Sequence, residues 1–197
     1  MENKGTDFSE EWIKIKKDDI PEGEYIVTNP RINYRIIGTA NMNFKTFQSN
    51  LKVLDKQTGN TIRSKYINEF VNTEHEQYHQ QIQLKHKFRD GYCYSGYLWD
   101  YIKNPIIIDK KYFEALADKI NRVFVFWDIH SCERILIEDY WKFDKDSVIE
   151  IDFNVLLEGE AYLPEDIYIF DKNMTWTLIK THEDINGHCY CLKSGTI

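Results

Sequence analysis

Five consecutive apolar residues, Val123-Phe124-Val125-Phe126-Trp127, constrain this chain more than any other stretch. A strand with one wet face alternates apolar and polar side chains, whereas an unbroken run leaves no side for water and predicts a strand covered on both faces. Such a strand belongs inside a sheet. Ile167-Tyr168-Ile169-Phe170, the polar Asp171-Lys172-Asn173, and Met174 to Lys180 form the clearest hairpin signal, with turn residues of the expected kind. On its second strand, Thr175, Thr177 and Ile179 share one face and Trp176 and Leu178 the other, so at least one side must be packed. Ile135-Leu136-Ile137 and Val148 to Phe153 predict further strands, and Cys189 to Leu192 a last one at the sheet's edge.

The earlier part has a different periodicity. Glu24 to Thr28 and Arg31 to Ile37 predict two short strands around Asn29-Pro30. Phe44, Phe47, Leu51 and Leu54 then form one apolar helical stripe, which Gly59-Asn60 should stop. Ile62, Tyr66, Ile67 and Phe70 predict a second helix, and Thr73 to Phe88 a helix running into a strand. Tyr97, Leu98, Tyr101 and Ile102 make a short helical face before Asn104-Pro105; the compact run Ile106-Ile107-Ile108 and an amphipathic helix at Phe113, Leu116, Ala117 and Ile120 follow. The expected class is α+β, one domain over residues 1–197, with helices mainly in the first 120 residues and a mainly antiparallel sheet in the rest. Residues 1–20 read as a flexible N-terminal segment.

Thirteen Tyr, 11 Phe and 5 Trp against 9 Gly and 4 Pro supply enough apolar surface to offset chain entropy. MENKGTDFSEEW has charges where a secretory signal needs apolar residues, and no stretch approaches the roughly 20 apolar residues of a membrane span. A cytoplasmic location and free thiols at Cys93, Cys132, Cys189 and Cys191 are the corresponding expectations. The formal net charge is −7, and it is unevenly distributed: residues 1–98 carry 14 Lys and Arg against 13 Asp and Glu, residues 99–197 carry 11 against 19. That acidity disfavours direct binding to nucleic acid or membranes and attracts basic partners.

His75-Glu76-Gln77-Tyr78-His79 matches His-Glu-x-x-His. On a helix, His75 and His79 lie one turn apart and can share a zinc ion, with Glu76 as the base that deprotonates metal-bound water. The polar surroundings and the lack of a third ligand at a diagnostic spacing favour instead a solvated polar face. Asp128-Ile129-His130-Ser131-Cys132-Glu133 follows the expected inner strand, where loops often carry function, and Cys132 beside His130 would make a nucleophile pair. Side chains two apart on an extended chain run parallel, however, and a strand-to-strand turn with a buried small thiol is the favoured reading. His188-Cys189-Tyr190-Cys191, with His182 upstream, offers soft-metal donors but no Cys-x-x-Cys loop. No Gly-rich phosphate loop and no Gly-x-Ser-x-Gly elbow is present, which disfavours the common nucleotide-dependent enzymes and serine hydrolases.

Acidic and aromatic residues are interleaved in the second half: Glu138-Asp139-Tyr140-Trp141, Asp144, Asp146, Glu150, Asp152, Glu158, Glu160, Glu165 and Asp166. Carboxylates steer a basic partner and adjacent rings anchor it, which makes Glu138, Asp139, Tyr140, Trp141, Asp144 and Asp146 the candidate contact residues. Leu163-Pro164-Glu165-Asp166-Ile167-Tyr168-Ile169-Phe170-Asp171, continued by Trp176-Thr177 and Thr181-His182-Glu183, resembles the C-terminal part of small uncharacterised proteins of Gram-positive bacteria, some of the toxin-immunity type. The resemblance covers the last third and implies an inhibitor role without assigning any residue. The sequence therefore supports an acidic binding protein of the immunity type, with no cofactor and a basic protein as partner. A zinc-dependent hydrolase using His75, Glu76 and His79 is the alternative.

Overall fold

The structure is a computed structural model; it describes residues 24–29, 34–39, 44–88, 91–129, 134–135, 146–185 and 188–197. Strands β1 (Glu24–Asn29) and β2 (Tyr34–Thr39) pair antiparallel. Helix α1 (Phe44–Asn50) is followed by the short β3 (Lys52–Val53) and by α2 (Lys56–Phe70). Gly59-Asn60 therefore lies inside a helix instead of ending one. The reason is local: the Asp55 side chain accepts from the Thr58 amide and caps a new helix, while Gly59 lies in its first turns against Val148.

A turn over 73–77 leads into one π-helical turn, His79–Gln83, and into the hairpin β4 (His86–Phe88) and β5 (Gly91–Cys93). The expected strand is thus present, whereas a turn and one π-helical turn stand where the helix was expected. A 3-10 turn (Leu98–Tyr101) precedes β6 (Ile106–Ile108), α3 (Lys110–Glu114) and β7 (Arg122–Trp127). The remaining elements are β8 (Arg134–Ile135), β9 (Ile149–Asp152), α4 (Phe153–Gly159), β10 (Ile167–Phe170), β11 (Trp176–Ile185) and β12 (His188–Gly195).

Seven strands form one sheet in the order β3-β9-β7-β10-β11-β12-β6, with every pairing antiparallel. Strand β12 is an inner strand, because β6 pairs along its outer side; the expected edge position belongs to β6, whose Ile106 and Ile107 are exposed. Strands β2, β1 and β8 form a separate three-stranded sheet.

Alternation along β7 accounts for the unbroken apolar run. Val123, Val125 and Trp127 pack into one layer with Phe47, Phe113, Phe153, Leu156 and Tyr162. Phe124 and Phe126 pack into the opposite layer with Tyr66, Phe70, Tyr78, Leu98 and Tyr101. The hairpin divides the same way: Trp176 and Leu178 face the first layer, Ile179 the second. Helices thus cover both faces of the large sheet, and the fold is α+β with an antiparallel core.

Candidate functional site

Adjacent inner strands each deliver one ionisable residue to the same end of the sheet. Ile167 of β10 pairs with Trp127 of β7 on one side and with Lys180 of β11 on the other. The residues just beyond that row are therefore Asp128, Asp166 and the Thr181-His182 segment. Asp146 precedes β9, whose Ile149 pairs with Val125, so it stands at this end too.

Asp128 is buried, with 5% of its surface exposed. Its Oδ2 accepts from the Tyr168 hydroxyl at 2.9 Å and from the Leu98 amide at 3.2 Å, while Oδ1 has no hydrogen-bond partner among the described residues. Burial pushes this carboxyl well above the ordinary range, and the charge of Asp166 pushes it further; Tyr168, Arg63 and the Leu98 amide act in the opposite direction. Arg63 reaches the same region from α2. Its Nη2 donates to the Trp127 carbonyl at 2.8 Å, its guanidinium lies 4.3 Å from the Phe126 ring centroid, and its Nη1 is buried without a partner among the described residues. No ion pair of 4.0 Å or less joins Arg63 to Asp128. A buried guanidinium and a buried carboxyl thus each keep one unsatisfied atom among the described residues, an arrangement that costs stability.

The register of β11 against β12 slips next to this site. Lys180 pairs with Cys191 and Asp184 with Cys189, so Thr181, His182 and Glu183 stand opposite the single residue Tyr190. Such a bulge re-aims side chains. Here it turns both the backbone N–H and the ring of His182 onto Asp166, which is 1% exposed: the amide lies 2.9 Å from Oδ1, and Nδ1 lies 2.9 and 3.0 Å from Oδ1 and Oδ2. The carboxylate favours a proton on Nδ1, so exchange of a proton with a ligand would fall to Nε2. Thr181 holds the bulge open, its hydroxyl donating to the Tyr190 carbonyl at 2.7 Å.

Aromatic rings wall the imidazole. Tyr97 lies 4.8 Å from it and Trp99 6.5 Å, centroid to centroid; Tyr97 and Trp99 stack at 5.2 Å, and Tyr190 meets Trp99 edge-on at 6.0 Å. Trp99 Nε1 is buried and unpartnered among the described residues. Beside this wall Asp100 titrates above the ordinary carboxyl range, through partial burial first and then the charges of Glu183 and Asp166. Asp100, Glu183 and Asp166 concentrate negative charge here, offset in part by the His182 ring on Asp166, and perturbed groups of this kind gather where ligands bind.

The residues singled out from sequence are distributed differently. Asp146 is half-buried at the sheet end just described, whereas Glu138, Asp139, Tyr140, Trp141 and Asp144 lie outside the described residues, as do His130 and Cys132 and the N-terminal segment 1–20. His75 stands in a bend and Glu76 in the turn after it, while His79 opens the π-helical turn, so the two imidazoles do not share one α-helical face. His75 Nδ1 accepts from the Gln77 amide at 3.3 Å, and His79 Nδ1 lies 2.8 Å from Gln83 Oε1. Among the described residues, no group of three or more His, Cys, Asp and Glu side chains is placed to hold a metal ion.

Asp128, Asp166 and His182 are each visible in the sequence, but far apart and in unrelated contexts; only the strand order joins them. The one local signal is the acidic residue directly after an apolar run that should end a buried strand. Residues 41–191 match a family model described as a domain of unknown function, DUF4275. No curated protein and no solved structure matches the chain.

Proposed function

The chain belongs to the DUF4275 family of domains of unknown function, and we propose that it is a cytoplasmic binding protein for a basic protein partner, an inhibitor of the toxin-immunity type. The observation that carries this reading is the acidic group at one sheet end, where burial, then the charges of Glu183 and Asp166, push Asp100 up beside the exposed imidazole of His182. A guanidinium or ammonium group entering there would meet carboxylates, an imidazole fixed by Asp166, and the Tyr97 ring as a stacking surface. Asp146 extends the same end, and the acidic excess of residues 99–197 adds long-range attraction. Cytoplasmic residence is part of the proposal; among the described residues no helix is long and apolar enough to cross a membrane.

The zinc-hydrolase reading has less support, since His75 and His79 are not on one helical turn and His79 Nδ1 already lies against Gln83. Metal analysis of the purified protein remains its direct test, with stoichiometric zinc that disappears in His79→Ala as the supporting result.

The binding proposal is tested with a fluorescent arginine-rich peptide and a glutamate-rich counterpart. The basic peptide should bind, weaken as salt shortens the Debye length below about 10 Å, and lose affinity with Asp100→Asn combined with Glu183→Gln. Equal affinity for both peptides, or indifference to the double substitution, would overturn it.

A further inference from the structure

On the other face of β12, away from His182, the sulfur atoms of Cys189 and Cys191 lie 3.5 Å apart. Residues two apart on a strand share a face, but their side chains ordinarily run parallel; here the slipped register opposite Tyr190 relaxes the ladder and lets the two thiols converge. Cys191 is 1% exposed and packs in the apolar layer, whereas Cys189 is half-buried and accessible. Cys189 Sγ also lies 3.6 Å from the Thr181 carbonyl. Two lysines flank the pair: Lys180 and Lys110 reach the same Glu160 oxygen at 3.2 and 3.0 Å. Two cations and one carboxylate leave a surplus of positive charge next to the sulfurs, which favours a thiolate and disfavours a bound divalent metal.

We propose that Cys189 and Cys191 form a redox-active dithiol that a small-molecule disulfide such as glutathione disulfide closes into an intramolecular Cys189–Cys191 disulfide. In the first step the Cys189 thiolate attacks one sulfur of the oxidant, a Cys189–glutathione mixed disulfide forms as the oxidant's S–S bond breaks, and one glutathione thiolate leaves. In the second, the Cys191 thiol gives up its proton and attacks the Cys189 sulfur; the Cys189 Sγ–Cys191 Sγ bond forms, the Cys189–glutathione S–S bond breaks, and the second glutathione leaves as a thiolate that takes up the released proton. The protein loses two protons and two electrons, and one glutathione disulfide takes them up to become two glutathione thiols.

The division of roles follows from the surroundings. The Cys191 hydrogen bond and Lys180 hold the Cys189 thiol down at about 7, whereas the same hydrogen bond and burial push Cys191 up. Cys189 is therefore the attacking sulfur and Cys191 the resolving one. Cα atoms two apart on a strand are separated by about 6.6 Å, near the upper end of the span a disulfide tolerates. The bond forms under strain and is readily reduced, as suits a reversible site better than a structural cross-link.

The test uses the full-length wild-type protein in glutathione buffers of stepped oxidised-to-reduced ratio, with trapping of free thiols by N-ethylmaleimide and mass spectrometry of the tryptic peptide 181–193. The expected result is a peptide lighter by two hydrogens that takes up no alkylating agent at high ratios and regains both labels on reduction. Cys191→Ser should instead accumulate a glutathione adduct on Cys189. A wild-type protein that keeps both thiols, carries only a stable glutathione adduct, or links Cys189 to Cys93 or Cys132 would overturn the proposal.

Discussion

Replacing Asp166 tests whether the sheet-end site is held together as its geometry implies. The carboxylate takes the His182 amide and the His182 ring within 3.0 Å, from a position 1% exposed. Hydrogen bonds to a charged group contribute about 1.5–3 kcal/mol each, and the ring, being partly exposed, recovers some of that from water. Asp166→Ala also removes a charge that raises Asp128 and Asp100, which offsets part of the loss. The net expectation is a destabilisation of about 2–4 kcal/mol. Asp166→Asn keeps one acceptor oxygen and should cost about half as much. In urea unfolding at pH 7, with a slope of about 2–3 kcal/mol per molar, the Ala variant should unfold about 1 M earlier with the slope unchanged. A midpoint within about 0.2 M of wild type, or equal losses for Asn and Ala, would refute the reasoning.

Two other substitutions probe separate parts of the account. Asp128 has a folded-state value raised by burial and Asp166, so above the unfolded value of about 4 the unfolded chain releases a proton that the folded one keeps, and stability falls as pH rises. Asp128→Asn has no such proton, so its stability relative to wild type should increase as pH rises above about 4 in thermal melts; a constant difference would contradict the assignment. At Gly159 an added Cβ would run into the ring of Phe47, which is 1% exposed. Gly159→Ala should therefore destabilise by about 1–3 kcal/mol despite its better helix propensity, as read by the shift in urea midpoint, and a stabilised variant would mean that α1 moves away freely.

Much of the frame was legible in the sequence because single segments specify it. The run Val123–Trp127 implies a strand covered on both faces, and the hairpin at 167–180 is marked by its own turn residues. Errors arose where one residue or a distant partner decides. Asp55 starts a helix where Gly59-Asn60 suggested a stop, and β12 is inner only because Ile106–Ile108 comes back beside it. The site was the least legible part. Asp128, Asp166 and His182 are brought together by the order β7-β10-β11 and by a bulge opposite Tyr190, and a bulge without a glycine or proline to mark it leaves no trace in composition or periodicity. The motif that stood out in the sequence, His75 to His79, depended on a helix that a turn and a π-helical segment replace.

Mapping a basic ligand onto the protein by nuclear magnetic resonance tests most directly whether this sheet end is a contact face. With the arginine-rich peptide added to isotope-labelled protein, the largest shifts should fall on Tyr97, Asp100, His182 and Glu183, with the His182 ring signals moving together with the amides. Shifts concentrated elsewhere on the molecule, or none at peptide excess in low salt, would contradict the account.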